Sequence, residues 1–165
     1  KNKEREGYIM VTTNNEFKMI NVLSKRIKIL QSELPEQMED IKKMCDSNFY
    51  IVKSITTVTY AMKKNEGGNI LDLEILVELK NSVDNENIPN GFVLKPQILI
   101  TNALMNHYEG PSVGSNNAFN EINNYLMTNK LMAITPAYSV SRDPFKQSEN
   151  QINLDIYVGI NPNIM

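Results

Sequence analysis

The sequence predicts an α+β fold in which a strand-helix-strand-strand unit is used twice, forming an antiparallel sheet with two helices packed on its apolar face. Three observations carry this. Leu71–Leu79, LDLEILVEL, returns 81 residues later as Ile152–Ile160, INLDIYVGI, with Leu73/Leu154, Ile75/Ile156 and Val77/Val158 identical. Both segments alternate apolar and mainly polar residues, the period of a strand with two unlike faces. Upstream of each, a β-rich run, a helical pattern and a second β-rich run occur in the same order.

In the first half, Ile20–Leu30 is the opening β-rich run. Ser32–Asp46 follows, with Leu34, Met38, Ile41 and Cys45 at helical spacing. Pro35 fits only a first turn, so it marks the helix start. Ile51–Met62, rich in Ile, Val and Thr, is the next strand. In the second half, Phe92–Met105 precedes a helix over Ser115–Thr128. Ala118, Phe119, Ile122, Tyr125 and Leu126 form its stripe, and Ser115 or Asn116 is the expected cap. Ile134–Ser141 follows. Turn signals separate the pieces at Asn65-Glu66-Gly67-Gly68, Pro89-Asn90-Gly91, Gly110-Pro111 and Asp143-Pro144. The expected organisation is one domain over 1–165, made of repeats at about 17–83 and 91–165 with a polar linker at 84–90. Residues 1–15 belong to neither copy, and Tyr8–Thr13 is either an extra strand or an ordered tail.

Composition narrows the chemistry. The 165 residues include one His, one Cys and no Trp, with 17 Lys+Arg against 19 Asp+Glu. One His and one Cys exclude a multi-His or Cys-rich zinc site and an internal disulfide. The mixed, near-neutral charge is not the footprint of a nucleic-acid binder. No apolar run approaches the roughly 18–20 residues that span a bilayer. The lone Cys45 and the lack of a signal-peptide pattern point to the cytoplasm. No cofactor is expected.

The run His107-Tyr108-Glu109-Gly110-Pro111, then the helix, then Ala137-Tyr138-Ser139 and Leu154-Asp155-Ile156-Tyr157-Val158, resembles the second half of the GyrI-like (SHS2-type) ligand-binding domain. That family shows a strand ending in a Gly-Pro turn, a helix, and a closing strand Glu-Ile-Tyr-Ile-Pro-Val. The resemblance covers about residues 17–161. It implies a module of the kind that serves bacterial transcription regulators as a binder of lipophilic cations, or stands alone, or hydrolyses a reactive ligand. The chain departs from the pattern where Asp155 replaces Glu, one methylene shorter, and Gly159 replaces Pro. The start Asn21-Val22-Leu23-Ser24-Lys25 and the layout also resemble a Firmicutes family often encoded beside type VII secretion toxin genes. No helix-turn-helix pattern precedes residue 17.

Glu74 and Asp155 occupy matching places on the polar faces of the two copies. There they face either solvent or a groove between the halves, where paired carboxylates suit a cationic ligand or, with raised pKa, a general base. Tyr157 shares the face of Asp155, and Tyr60 and Tyr138 sit on neighbouring elements; aromatic rings beside carboxylates suit a flat or cationic ligand. His107 reads as a strand-end surface residue, since no Gly-x-Ser-x-Gly elbow accompanies it. Cys45 lies on a helical stripe and reads as core. Gly110–Gly114 reads as a helix-start turn and not a phosphate loop. The function expected is a stand-alone, non-catalytic module that binds a small hydrophobic or cationic molecule between its repeats. The competing functions are a protein-interaction accessory of a secretion or toxin locus and a metal-free hydrolase. An open pocket of several hundred Å³ holding both carboxylates favours a ligand; a groove closed by Leu76 and Tyr157, with a large apolar patch elsewhere, favours a protein partner.

Overall fold

The computed structural model describes residues 11–148 and 150–161. Its long elements run in the order β1 (Thr12–Leu30), α1 (Leu34–Ser47), β2 (Val52–Asn65), β3 (Gly68–Leu79), β4 (Val93–Gly110), α2 (Ser115–Thr128), β5 (Ala133–Ser141) and β6 (Ile152–Ile160). Val93, Ser115 and Ala133 open β4, α2 and β5 81 residues after Thr12, Leu34 and Val52 open β1, α1 and β2. Residues 8–10 of the expected extra strand lie outside the described residues, whereas Thr12 and Thr13 already belong to β1. β1 thus starts before residue 17, where the first copy was expected to begin.

The helices stop for the same local reason. Asn48 and Asn129 donate their side-chain amides to Met44 O and Tyr125 O, at 2.8 and 2.9 Å. Phe49 and Lys130 follow with φ of 58° and 53°, and Tyr50 N and Leu131 N bond back to Cys45 O and Leu126 O. This is the left-handed close that caps orphan carbonyls. Pro35 lies in the first turn of α1 as expected, but the start of α2 differs: no side chain caps it, and Ser115 Oγ donates to Ser112 O at 2.8 Å. A tight turn at Ser112–Gly114 feeds the helix instead. A Cβ on Gly114 would overlap the Tyr108 hydroxyl, which bonds Pro111 O. The glycine is there to let the turn close on Tyr108.

All strand pairs are antiparallel, and the order β1-β3-β2-β5-β6-β4 closes β4 back onto β1. Closure leaves each strand with an outer and an inner face. Outward, Leu71, Leu73, Ile75, Val77 and Leu79 pack on Ile41 and Cys45 of α1. Likewise Ile156, Val158 and Ile160 pack on Ala118 and Ile122 of α2. Burying one such aliphatic side chain contributes about 1.5–3 kcal/mol. Inward, Phe17, Met19, Val22, Val58, Leu76, Ile100, Ala103 and Val140 form a third core. The polar face of β3 is therefore turned away from solvent at Glu74 and Glu78, which are buried, whereas Asp72 and Asp155 stay partly exposed and Asn153 exposed.

Candidate ligand site

Register places the predicted residues. Lateral pairs run Arg26–Glu74–Val58–Tyr138–Tyr157 across β1, β3, β2, β5 and β6, and Val140–Asp155–His107 across β5, β6 and β4. Paired neighbours share a face, so Glu74, Tyr138, Tyr157 and Asp155 all lie on the inner face. Two strands separate β3 from β6 in either direction round the barrel. The two carboxylates therefore stand on opposite walls, and each has its own partners.

Glu74 is held by three neighbouring strands, β1, β4 and β2. Its Oε2 accepts from the Ser24 hydroxyl and from Lys95 Nζ at 2.6 Å; its Oε1 accepts from the Tyr60 hydroxyl at 2.7 Å. Burial alone would raise its pKa; the hydrogen bonds from Lys95, Ser24 and Tyr60 outweigh that and hold it below the usual range. Burial and the bond to Glu74 push the Tyr60 hydroxyl up. The Arg26 guanidinium lies 3.8 Å from the centre of the Tyr60 ring, and two of its nitrogens bond Asp72 at 2.8 and 3.1 Å. Sequence reasoning missed Lys95, Arg26 and Ser24. Lys95 left a trace: it is the only charged residue between Phe92 and Met105.

Asp155 meets His107, not Glu74. His107 Nδ1 is 2.6 Å from Asp155 Oδ1, and its Nε2 is 2.9 Å from Glu109 Oε1. The Asp155 bond first, then Glu109, raises the imidazole pKa. A raised histidine stabilises the fold fully below its unfolded value of about 6.5 and ceases to as pH rises through the folded value. The side chain is 45% exposed, so the contribution is at most about 1 kcal/mol. Urea midpoints of the native protein are expected to fall between pH 6 and 8 by an amount that His107→Gln removes; equal slopes in both proteins would reject the bridge.

Tyr138 and Tyr157 flank Phe17, with ring centroids 5.3 and 4.9 Å from it. Leu76 lies in the same cluster at 1% exposure. The middle of the inner face is thus filled by the aromatic side chain that β1 packs against the paired tyrosines. Gly159 completes the wall: a Cβ there would meet Thr135 Cγ2 at 2.8 Å and Ile100 Cγ2 at 2.9 Å, and its N–H donates to Thr135 Oγ1 at 2.8 Å. Proline at this place would lose that bond.

The outer face carries a cleft of about 340 Å³ where β2 meets β5. Leu34, Met38, Ile55, Phe119, Ile152 and Leu154 give it apolar walls, and Thr57, Thr59, Ser139 and Ser141 supply hydroxyls. Both halves contribute. None of Glu74, Asp155, Tyr157, Tyr60 and Tyr138 lines it. A wider depression of about 790 Å³ at one end of the barrel is lined by Lys53, Glu78, Lys80 and Asn81 among others. There Glu78 already accepts from Ser54 Oγ at 2.8 Å and Ile20 N at 3.1 Å. Cys45 sits in the α1 core, and burial pushes its thiol up to about 11, away from nucleophilic use. Among the described residues, no three His, Cys, Asp or Glu side chains are grouped to hold a metal ion, and no helix is long and apolar enough to cross a membrane.

No family model matches the chain, and no curated protein matches its sequence. Solved structures do. The EcmrR C-terminal domain superimposes with a TM-score of 0.69 at 16% identity, over 92% of this chain and 97% of that one. EcmrR in its complex with DNA gives 0.73 at 16% identity over 97% of this chain, which spans 61% of the length of that protein. A hydrolase from Listeria innocua gives 0.57 at 11% identity over 96% and 98% of the two chains. The likeness is one of fold, and the six antiparallel strands with two helices agree with the GyrI-like α+β arrangement that the sequence motifs imply.

Proposed function

We propose that the chain is a non-catalytic module of two βαββ repeats that binds a small, mainly apolar molecule in the outer cleft between them. The observation that carries this is the composition of the cleft. Walls from both halves enclose about 340 Å³, within the range of small-molecule sites, with a few hydroxyls to orient a ligand. On this reading Glu74, Tyr60, Tyr138, Asp155 and Tyr157 act from the other side of the sheet, setting the curvature of the wall that the ligand rests on. A neutral amphiphile suits the cleft, because its lining residues bring no charge.

A thermal-shift series with n-octanol and the lipophilic cation tetraphenylphosphonium tests this. Octanol near 100 times its Kd stabilises by about 2.7 kcal/mol, a rise in Tm of roughly 5–10 °C for a chain of this size. Ser139→Leu, which fills the cleft from β5, is expected to fold and to lose the response. No stabilisation by either compound, or an undiminished response in Ser139→Leu, would reject the site.

One observation favours a second reading. The inner groove is closed where Leu76 and Tyr157 pack against Phe17, which meets one of the two conditions set for a protein-interaction module of a secretion or toxin locus, the other being a large apolar patch elsewhere. A single reproducible partner in co-purification, with no response to either compound, would favour it. The hydrolase reading has less support, since His107 is bracketed by two carboxylates and not by a hydroxyl or thiol.

A further inference from the structure

The Glu74 pocket has the chemistry of an organic-cation site. Its carboxylate is buried, the Tyr60 ring stands beside it, and Tyr138 is close enough to be raised by burial and by the Glu74 charge. A desolvated acid attracts a compact ammonium through charge-assisted hydrogen bonds, while the Tyr60 ring face already carries the Arg26 guanidinium. The chain supplies that ammonium itself. Lys95 pairs with Val22 of β1, whereas Glu74 pairs with Arg26, four residues further along the same strand. The Lys95 side chain therefore reaches diagonally across β1 to place Nζ 2.6 Å from Oε2. It crosses from the second half of the chain to the first, and 43% of it stays exposed.

We propose that Lys95 is a tethered cation occupying an acid–aromatic pocket, which keeps free organic cations out of the native inner face and leaves a site for a primary alkylammonium once it is removed. The consequence is selectivity: Glu74, the most buried of the predicted contacts, is closed to a cationic ligand while Lys95 is in place. This inference is independent of the outer cleft, which shares no residue with the pocket.

Chemical rescue tests it. Lys95→Ala removes the equivalent of n-propylammonium, so that cation is the probe, with sodium chloride at equal ionic strength as control. The variant is expected to lose about 5–10 °C in Tm, because a buried carboxylate is left without its counter-charge. Added n-propylammonium is expected to restore about half of that loss or more, saturably, and to leave the native protein no more stable than sodium chloride does. Lys95→Ala/Glu74→Gln is expected to ignore the amine. Failure of the single variant to respond, or an equal response in the double variant or the native protein, overturns the proposal. If Lys95→Ala does not fold, Lys95→Met preserves the side-chain bulk. Adding Glu74→Gln to it is then expected to raise Tm by several degrees, and no rise overturns the proposal.

Discussion

Phe17→Ala is expected to lower the unfolding free energy by about 3–5 kcal/mol, the range for deleting a buried aromatic ring. Phe17 is 3% exposed and lies in the inner core, against the paired Tyr138 and Tyr157 and in one cluster with Val22, Leu76 and Ile100. Its tilted contacts with both tyrosines add about 0.5–1.5 kcal/mol per pair beyond area. Rigid neighbours on five strands limit how far the wall can collapse into the hole. A domain holds only about 5–15 kcal/mol in total, so the variant sits near the edge of folding. Urea unfolding gives the loss as a fall in midpoint at unchanged m. A hole left there is apolar apart from two phenol groups, and benzene is expected to bind it and recover part of the midpoint. A loss below about 1 kcal/mol would mean that the inner core does not hold the halves together.

Much of the fold was legible because alternation is a local property. LDLEILVEL and INLDIYVGI declare a strand with two unlike faces, and the helical stripes of α1 and α2 declare one buried side each. What alternation does not declare is where the second face points. The acids of β3 suggested a face turned to solvent or to an open groove. Closure through the β1–β4 and β2–β5 pairings turned that face inward, where Glu74 and Glu78 are satisfied by hydroxyls, a backbone N–H and lysines. Those pairings join residues about 80 apart, and no pattern within a strand fixes them.

The site divides the same way. Glu74 and Asp155, the matching positions of the two copies, lie on the inner face with Tyr138 and Tyr157, but on opposite walls of the barrel, whereas Tyr60 falls at the irregularity of β2 and reaches Glu74 through its hydroxyl. Their partners were not legible. Lys95 reaches Glu74 only because β4 lies beside β1, and Phe17, which follows the register shift of β1 after Asn15, packs against both tyrosines across the barrel. The opening strand was expected to begin at Ile20, so Phe17 lay outside it. The outer cleft was hidden for another reason: Thr57 and Ser139 are ordinary β-strand residues, and only the seam between β2 and β5 sets them side by side.

Glu121→Gln is expected to make the protein more stable than the native chain at pH 8, by about 1–2 kcal/mol, and to leave it nearly unchanged near pH 4. Glu121 of α2 lies over Asn106 of β4. The Asn106 amide donates to Ala118 O at 3.1 Å and to Glu121 Oε1 at 3.3 Å. The other atoms of this pair, Asn106 Oδ1 and Glu121 Oε2, are both buried acceptors with no partner. A proton on the carboxyl turns Oε2 into a donor, so that one acid and one amide complement each other as in a carboxylic acid–amide pair. Burial raises the Glu121 pKa above its ordinary 4.5, and the Asn106 bond offsets only part of that. A raised acid stabilises the fold fully below its unfolded pKa and ceases to as pH rises through the folded one. The native protein therefore loses stability on the alkaline side of that value, where a charged carboxylate remains beneath α2. Glutamine keeps an N–H donor in place at every pH and carries no charge to desolvate. Urea midpoints of both proteins between pH 4 and 8 decide the matter: profiles that converge in acid and separate in base confirm the neutral pair, and parallel profiles exclude it.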